Sequence, residues 1–416
     1  MNSILNSLSS SPIANVLLKD MSIDDYTYQL QSSLPAGTRE KIQLDIPTVA
    51  FDKKVSVDIP KYGLLCGAVL KLNITIAKTG TSYVTMANNF LLLLKSAVLS
   101  AHSREICELS GITNFKNILE MDATSKEAIK SAALDNLTGL IGTASTAIPS
   151  LLFDGTYNLY IPLMFPFFSK MNQYIDTEFA EPLNLSFTLD TASKLFVAQQ
   201  SSALNAGSSK LMLYYIQMSE NDVRMRQNSV FSTEKPTSIM SLSSYPEVAD
   251  VKSFTVTGAS QVPTVSTIKL NTPNLLVSTT VIVRRTAGGT LAQNLEPIDT
   301  IEFKGNGKSL YLYNYEEFAL ENCIFAGKKG TYTMSQYNNT LDENVFTHYW
   351  AMSDSPDFFS GGVSAKNLSD FTCIVSFTPS VSGAGTYSYT VEVVHQYVNI
   401  ISYSGSSGKI GVSMAL

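Results

Sequence analysis

Charged residues are scarce in this sequence: Asp, Glu, Lys and Arg make up 15% of its 416 residues, where about 25% is usual for a soluble domain. It has no block of Lys or Arg, and its formal net charge is −6. We therefore do not expect direct binding of nucleic acid through a broad basic surface. A surface with so few charges must consist largely of Ser, Thr, Asn and Gln, or must be covered by neighbours.

Cysteine and histidine are also rare. The four cysteines are Cys66, Cys107, Cys323 and Cys373, and the three histidines are His102, His348 and His395. The cysteines stand far apart, without a CxxC pair or a nearby histidine, so metal-ligand spacing is missing. We interpret them as buried free thiols. Three histidines in separate segments leave few members for a Ser-His-Asp triad or a histidine-rich metal site.

The sequence also shows no sign of a targeting or membrane-spanning segment. Its first residues lack a positively charged start followed by a continuous apolar stretch, so we do not predict a secretory signal peptide. A long uncharged run, 136–153, contains Gly139, Gly142 and Pro149. We interpret this run as a loop and not as a membrane span.

Strand-forming residues, in contrast, are abundant. The chain has 20 Tyr and 20 Phe, and 44% of its residues are hydrophobic. Aromatic and β-branched side chains fit a pleated, half-buried surface, so the composition favours an all-β fold. We divide the chain into an N-terminal arm (1–34), a first β domain (35–220), a linker helix (221–229), where the sequence turns charged and polar, and a second β domain (230–416).

The pattern of the first domain predicts a β-sandwich with one helix. Apolar and polar positions alternate from residue 41 onward, which predicts strands with one buried face. Residues 90–111 are interpreted as a hairpin that turns at His102 to Arg104, although a buried helix is the alternative for the run at 91–94. Helical spacing over 115–134 predicts a helix within a long loop. Further strands are predicted near 157–162, 183–190 and 210–218.

The second domain repeats this organisation. Short alternating runs such as VKSFTVTG, TVSTIKLN, LLVSTTVIVRR and TYSYTVEVVHQYVNII are separated by Gly, Pro and Asn turns. Two such sets of strands predict two sandwiches. No strict sequence repeat relates them.

A Pro-punctuated segment from Ile161 to Phe168 provides the first family signal. Pro162 and Pro166 cannot lie inside a helix or a central strand, so the segment predicts a strand that leads into a buried, irregular turn. It resembles the strand and short helix that close the first jelly roll of the hexon-like double jelly-roll major capsid proteins of tailless icosahedral viruses, many of which contain an internal membrane. Met164 stands where that family often has Pro, and Pro166 is an additional interruption.

Other landmarks of this family follow in the same order along the chain. In this chain, four segments resemble those landmarks: 93–111, 210–227, 358–377 and 391–409. The resemblance implies two tandem antiparallel eight-stranded jelly rolls, with a few short helices in loops and in the N-terminal arm. It also implies a phage-type major capsid protein whose pseudo-hexameric trimers tile an icosahedral shell. Loops of an outer tower would then lie in 112–156 and 328–344.

The resemblance further implies particular partners and a location. The chain would form a homotrimer and contact neighbouring capsomers and minor capsid or penton proteins in the virion, after assembly in the host cytoplasm. The arm carries Ile4, Leu8, Val16 and Leu17, through which it would contact an internal membrane or a neighbouring trimer. The same arm has only one Lys and three Asp up to Tyr26, so we do not expect it to bind the genome.

Motifs that could support catalysis were weighed and rejected. The string GNGKS at 305–309 ends like a phosphate-binding loop, but the required earlier Gly is replaced by Glu302, so we predict a hairpin turn. Gly405 and Gly408 are one residue too close for a nucleophile elbow. We interpret His348 as a packed aromatic strand end, with an acid–base pair to Asp354 or Asp357 as the minor alternative. We predict no catalytic, cofactor-binding or metal-binding residue, no cofactor and no enzymatic activity.

A second functional class shares this composition. A secreted protein of two sandwiches could bind carbohydrate or act on polysaccharide. Such a protein would show a groove lined by exposed aromatic side chains and paired carboxylates.

Overall fold

The computed structural model describes a large part of the chain in detail. The described residues are 38–78, 84–85, 90–102, 104–119, 151–152, 155–165, 175–178, 180–191, 200–217, 237–271, 275–287, 295–314, 317, 344–355, 358–364, 367–381, 383–404 and 409–414. The predicted N-terminal arm, the linker helix at 221–229 and the loop at 328–343 lie outside them.

The first half is built almost entirely of strands. In the described residues these are β1 (Thr38–Asp45), β2 (Lys54–Ile59), β3 (Leu64–Lys78), β4 (Val84–Thr85), β5 (Leu94–Ala101), β6 (Arg104–Ser110), β7 (Leu151–Leu152), β8 (Gly155–Pro162), β9 (Ile175–Asp176), β10 (Leu183–Leu189), β11 (Gln200–Leu204) and β12 (Lys210–Gln217). One α-helix, α1 (Gly111–Leu119), follows β6, and short 3-10 helices cover Phe90–Leu93 and Ala206–Ser208.

The second half repeats the strand-rich organisation. Its described strands are β13 (Thr237–Pro246), β14 (Asp250–Val256), β15 (Ser260–Gln261), β16 (Thr264–Lys269), β17 (Leu275–Ala287), β18 (Leu295–Glu296), β19 (Thr300–Gly305), β20 (Lys308–Asn314), β21 (Phe346–Tyr349), β22 (Ala351–Ser355), β23 (Phe358–Gly361), β24 (Val363–Ser364), β25 (Thr372–Phe377), β26 (Ser380–Val381), β27 (Gly385–Ser404) and β28 (Lys409–Met414).

The two halves share one strand topology. In the first half, a large sheet has the order β1-β12-β3 with β8 also on β3, and a four-stranded sheet has the order β2-β10-β5-β6. In the second half, the corresponding orders are β13-β27-β17 with β21 also on β17, and β16-β25-β19-β20. For these eight strands of each half, the order in the sheets and the order along the chain match, and the ladders are antiparallel. Each half is therefore a jelly roll of two facing sheets.

Alternating burial explains why these segments form sandwiches. β2 alternates exposed and buried residues along its whole length, as a strand with one face on a core must. The first core contains Leu70, Leu213 and Phe187, and the second contains Phe303, Val375 and Tyr389, all of them inaccessible or nearly so. The sequence prediction of two all-β sandwiches is confirmed.

The helix α1 corrects one prediction. The helix begins at Gly111, four residues before the predicted start at 115, and residues 120–134 of the prediction lie outside the described residues. The prediction that 112–156 forms a loop of an outer tower is wrong for the residues of α1, because Phe115 and Ile118 are buried in the first core. A Cβ at position 111 would lie 1.6 Å from the carbonyl oxygen of Leu94, so only glycine lets the helix start this close to β5.

The Pro-punctuated segment adopts the predicted strand and irregular turn. β8 ends at Pro162, and the next residues leave the ladder with Leu163 and Phe165 buried. Asn114 of α1 satisfies the irregular backbone, because its Nδ2 donates to the Pro162 carbonyl at 2.9 Å and its Oδ1 accepts from the Met164 amide at 2.8 Å. This helix thus holds the turn in place.

Two equivalent hairpins, β5–β6 and β19–β20, connect neighbouring strands of the small sheets. His102 takes the left-handed conformation in the first, with φ 51°. In the second, Asn306 and Gly307 have φ 54° and 70°, which is the signature of a type I′ turn. The hairpin predicted at 90–111 is confirmed for 94–110, whereas Phe90–Leu93 form a 3-10 helix, as the helical alternative for this run partly anticipated. The hairpin turn predicted for GNGKS is confirmed.

Candidate functional site: the contact between the two jelly rolls

The large sheet of the second roll has protein on both of its faces. Along β17, Val281 and Val283 belong to the second core, whereas Ile282 between them belongs to the first core. On β27, Val393 and Val394 divide in the same way. Successive side chains of a strand point to opposite faces, so one face of this sheet closes its own roll and the other face packs against the first roll.

Arg284 forms a charged contact across this boundary. Its side chain is only 3% exposed, and its guanidinium lies 3.4 Å from Oδ2 of Asp190, which follows β10 of the first roll. Its Nε lies 3.3 Å from Oε1 of Glu392 on the neighbouring strand β27. A buried cation is tolerated only with such partners, and removing one partner leaves an uncompensated charge. The arrangement therefore ties the two rolls to one relative position.

Arg285 points to the opposite face, as the alternation requires. Its guanidinium donates to Oε1 of Glu296 at 2.9 Å, and it lies 5.8 Å and 5.7 Å from the ring centroids of Tyr387 and Tyr389. Burial raises the pKa of Tyr389 to about 12, and the nearby Glu296 carboxylate adds to this effect. Burial also raises the pKa of Glu296, although Arg285 acts in the other direction.

A lysine of the first roll is buried at the same boundary. Lys116 of α1 is fully inaccessible, and its Nζ donates to Oε1 of Gln396 on β27 at 2.7 Å. The same oxygen accepts from Ser278 at 2.9 Å, and the ammonium group lies 5.0 Å from the centroid of the Tyr349 ring. The helix that supports the Pro162 turn thus also reaches into the second roll.

The edge strands β6 and β13 complete the contact. The Cys107 thiol donates to the Leu242 carbonyl at 3.1 Å, and the Glu108 amide donates to the Ser243 hydroxyl at 2.9 Å. Burial, together with the negative charge of Glu105, raises the pKa of Glu108 to about 7, and the nearby Lys54 only partly offsets this rise. The contact is thus both polar and apolar, and it contains a carboxyl group that is poorly solvated when ionised.

The structure places His348 among aromatic rings. Its ring lies 4.2 Å from that of Trp350 and 4.6 Å from that of Tyr311, and Tyr313 Oη is 3.2 Å from its Nδ1. Burial lowers its pKa to about 3, so the imidazole is neutral at physiological pH. This is the packed strand end that the sequence predicts. The side chains of Asp354 and Asp357 lie outside the described residues, so the alternative acid–base pair stays a prediction.

The other sequence candidates show no assembled reaction centre in the described part of the chain. Of the described cysteines, Cys66 is half-buried, Cys107 and Cys373 are buried, and none forms a disulfide. Cys323, Gly405 and Gly408 lie outside the described residues. Within the described ranges, no group of His, Cys, Asp and Glu has the arrangement to hold a metal ion. None of the described helices has the length and apolar character needed to span a bilayer.

A groove of about 690 Å³ lies on the outer face of the first roll's small sheet. It brings together Lys54, Asp58, Ser100, Glu105 and Asn184. Asn184 accepts from Ser56 at 2.5 Å and donates to Asp58 at 2.9 Å, so much of its hydrogen-bonding capacity is used within the protein. Its lining residues include no Phe, Tyr or Trp, unlike the aromatic-lined groove expected of a carbohydrate-active protein.

Comparison with solved structures provides a fold relationship. PBCV-1 VP54, fitted into a reconstruction of the virophage Sputnik, superposes with a TM-score of 0.58 at 13% identity, over 91% of this chain and 98% of that chain. The Faustovirus major capsid protein gives 0.55 at 9% identity, over 88% and 91%. The mavirus major capsid protein gives 0.51 at 10% identity, over 92% and 91%. The chain has the double jelly-roll fold.

This chain shares its fold with those proteins but has little sequence similarity to them. No protein-family model matches the chain, and no curated protein sequence matches it. Identities of 9–13% mean that the fold is retained while nearly all side chains differ. The prediction of a phage-type member is not tested by these superpositions.

Sequence reasoning missed the residues that join the rolls. Arg284 and Lys116 were not singled out, although each is a charge next to buried apolar residues, in VIVRR and FKNIL respectively. A charge in such a position is the available signal, because it must find a buried partner. The partners themselves, Asp190 and Gln396, are 94 and 280 residues away along the chain, and no local pattern identifies them.

Proposed function

We propose that this chain is the major capsid protein of an icosahedral virus and that it assembles as a homotrimer. The double jelly-roll fold supports this proposal, because each superposition covers nearly the whole of this chain and of the compared chain. The Faustovirus and mavirus structures are themselves major capsid proteins. No part of the proposal requires catalysis, a cofactor or a metal ion.

The observation that carries the proposal is the fixed pairing of two rolls with the same topology. One subunit presents two similar sandwiches held by buried contacts such as Arg284 with Asp190. Three subunits related by a threefold axis would present six similar sandwiches. Such a trimer would occupy a sixfold position of a closed shell.

Its further partners follow from this role. In the virion the trimer would contact neighbouring capsomers and minor capsid or penton proteins, after assembly in the host cytoplasm. The arm at 1–34 would reach toward an internal membrane or a neighbouring trimer. We retain 35–220 and 230–416 as the proposed bounds of the two rolls, with a linker helix at 221–229.

The test is the oligomeric state of the purified full chain. Light scattering coupled to size exclusion should give three times the chain mass of 45.3 kDa, and negative-stain images should show triangular or hexagonal particles, alone or in shells. A stable monomer at every concentration tested would overturn the proposal. Deletion of residues 2–30 should weaken assembly into shells and leave the trimer intact. Unchanged shell assembly would remove the proposed role of the arm.

A further inference from the structure

Two of the three histidines of this chain are buried in the second roll. His395 on β27 is inaccessible, and His348 on β21 is 6% exposed. Both pair with Thr279 of β17, one on each side of it. The third histidine, His102, is exposed on the β5–β6 turn of the first roll. A histidine that is buried without charge takes up a proton when its surroundings open in acid. As far as the histidines are concerned, acid therefore acts on the second roll.

A chain of polar contacts passes through His395. The Trp350 indole N–H donates to the Thr279 hydroxyl at 2.8 Å, and this hydroxyl lies 2.7 Å from Nδ1 of His395. On the other side of the ring, Nε2 lies 3.4 Å from Oε1 of Glu247, which is in the turn between β13 and β14. The same carboxylate oxygen accepts from the Asn271 amide, just after β16, at 2.7 Å. Five segments of the second roll are thus connected through one imidazole.

The donors in this chain of contacts indicate the protonation state of His395. An indole N–H can only donate, so the Thr279 hydroxyl accepts from Trp350 and is able to donate its own hydrogen to Nδ1. The neutral imidazole then carries its hydrogen on Nε2, which faces the Glu247 carboxylate. Burial lowers the pKa of His395, and Glu247, which acts in the other direction, offsets this only in part. An imidazole whose pKa lies below the usual value of about 6.5 is neutral at neutral pH.

A proton added to His395 would disrupt this arrangement. Both ring nitrogens of an imidazolium are donors, so the Thr279 hydroxyl could no longer donate to Nδ1. The new charge would also be buried, and in the described part of the chain Glu247 is the charged group that acts on it. The cross-strand neighbours of His395, Tyr245 on β13 and Thr279 on β17, provide no carboxylate. Opening of the turn that carries Glu247 would expose the imidazolium to water and relieve both costs.

The turn held by this network has an apolar surface. Glu247 is buried, and its amide donates to the Val393 carbonyl at 2.9 Å, whereas the next residue, Val248, is 83% exposed. In the first roll, the connection that follows β1 is anchored differently, because it buries the apolar residues Ile46 and Val49. The first roll thus anchors this connection by apolar burial, whereas the second does so through ionisable groups.

We propose that Glu247, His395 and Thr279 form an acid-sensitive latch, in which protonation of His395 releases the β13–β14 turn and the end of β16 while the first roll stays closed. The inference concerns a single subunit and goes beyond the proposed role in a shell. Glu108, at the contact between the rolls, acts in the opposite direction, because its protonated form is favoured in the folded state. Acid would therefore loosen the second roll without separating the two rolls.

Hydrogen exchange of the full chain measures this opening. Because the folded-state pKa of His395 is lowered, the protection that depends on it is complete above the ordinary histidine value of about 6.5 and is lost as the pH falls below that value. One such group changes the opening equilibrium by up to about tenfold per pH unit. After correction for the intrinsic exchange rate, the Glu247 and Asn271 amides should therefore lose about tenfold in protection between about pH 7 and about pH 5. The Asp52 amide in the first roll, which donates to the Leu189 carbonyl at 3.0 Å, should keep its protection.

Two histidine substitutions separate the latch from a general effect of acid. His395→Gln retains a side-chain N–H that can face Glu247 and cannot take up a proton, so the acid-dependent loss of protection at 247 and 271 should disappear. His348→Gln is the matched control, because it removes the other buried histidine beside Thr279, and the loss should remain. Wild-type protection that is equal at the two pH values, or a His395→Gln variant that still loses protection in acid, would overturn the inference.

Trp350 provides a second measurement that needs no substitution of His395. It is the sole tryptophan of the chain, and the neighbouring His348, with a pKa of about 3, stays neutral between about pH 5 and about pH 7. Trp350 emission should follow the same acid transition in the wild type and in Thr279→Ser, which keeps the hydroxyl group. Thr279→Val removes the hydroxyl with little change of shape, so its emission should no longer follow the pH. Identical responses of the Ser and Val variants would contradict the latch.

Discussion

The two large sheets of this protein have the same strand order and opposite surroundings. In the second roll, residues 276–285 of β17 and 393–399 of β27 are buried on both faces, and even polar side chains such as Thr280 and Gln396 are inaccessible or nearly so. In the first roll, β1-β12-β3 has one buried face and one partly exposed face, and charged residues such as Lys41 and Lys71 alternate with apolar ones. The same strand topology therefore forms with two residue patterns. Exposed charged residues alternate with apolar ones where one face of the sheet is covered, and they are missing where both faces are covered.

The difference also shows where the chain places buried charge. Arg284 lies on the covered face and has carboxylate partners from both rolls. Apolar packing alone would allow the rolls to slide against each other, whereas a buried ion pair is satisfied in only one arrangement. We infer that the ion pair fixes the relative position of the rolls more than it adds stability.

The largest expected effect comes from breaking this ion pair. Arg284→Met leaves Asp190 and Glu392 without their counter-charge at the boundary, so the free energy of unfolding should fall by about 3–5 kcal/mol. Urea denaturation followed by tryptophan fluorescence would measure it through Trp350. The matched control is Lys269→Met on the exposed face of β16, where a change below about 0.5 kcal/mol is expected. A loss no larger than that of the control would show that Arg284 does not hold the rolls together.

One outward position on each of the two large sheets provides the next comparison. Ile282 is fully buried and Val69 is only partly buried. In dilute protein, Ile282→Ala should cost about 2–5 kcal/mol because it opens a cavity between the rolls, whereas Val69→Ala should cost less than about 1 kcal/mol. Both values come from the same denaturation experiment. Equal losses at the two positions would mean that the face of β3 is as fully covered in the isolated subunit as that of β17.

The sequence predicts the sandwiches well because their signal is local. The alternation in KVSVDI and the Asn-Gly turn at 306–307 need no tertiary information, and both are confirmed. The start of α1 could not be predicted in the same way, because it depends on the close approach of Gly111 to the Leu94 carbonyl. Helical spacing alone placed the start of the helix four residues late and did not predict that the helix packs into the first core.

The contact between the rolls could be predicted only in part. The apolar run in β17 indicates a strand, but its length alone does not distinguish one buried face from two. The pairing of Arg284 with Asp190 requires the two rolls to be docked first, since the residues lie 94 positions apart. Short local patterns are therefore enough to predict the fold class, whereas the candidate site depends on contacts between distant segments and cannot be predicted from them.

The contact between β6 and β13 should respond to pH. The pKa of Glu108 is raised to about 7, so the folded state favours the protonated carboxyl group. Its stabilising contribution is complete below the ordinary pKa of a glutamate and is lost as the pH rises through about 7. Glu108→Gln should therefore raise the thermal midpoint at pH 8 by a few degrees, which corresponds to about 1 kcal/mol, and should have little effect at pH 4.

Thermal denaturation across this pH range would measure the Glu108 effect. Glu181→Gln, at a partly buried carboxylate of the same roll, is the matched control for the loss of a glutamate elsewhere in the roll. A Glu108→Gln midpoint that parallels the wild type from pH 4 to 8 would exclude a titrating group between the edge strands.

The smallest expected effect distinguishes the two equivalent hairpins. The β5–β6 turn holds His102 in the left-handed region, whereas the β19–β20 turn uses Asn306 and Gly307, which adopt that region more readily. His102→Asn should stabilise the protein by about 0.5 kcal/mol, and Asn306→His should destabilise it by a similar amount. Urea midpoints of the two variants should therefore move in opposite directions. If both substitutions destabilise, then His102 contributes a contact that outweighs its backbone strain, and the two hairpins are not equivalent in energy although they are equivalent in topology.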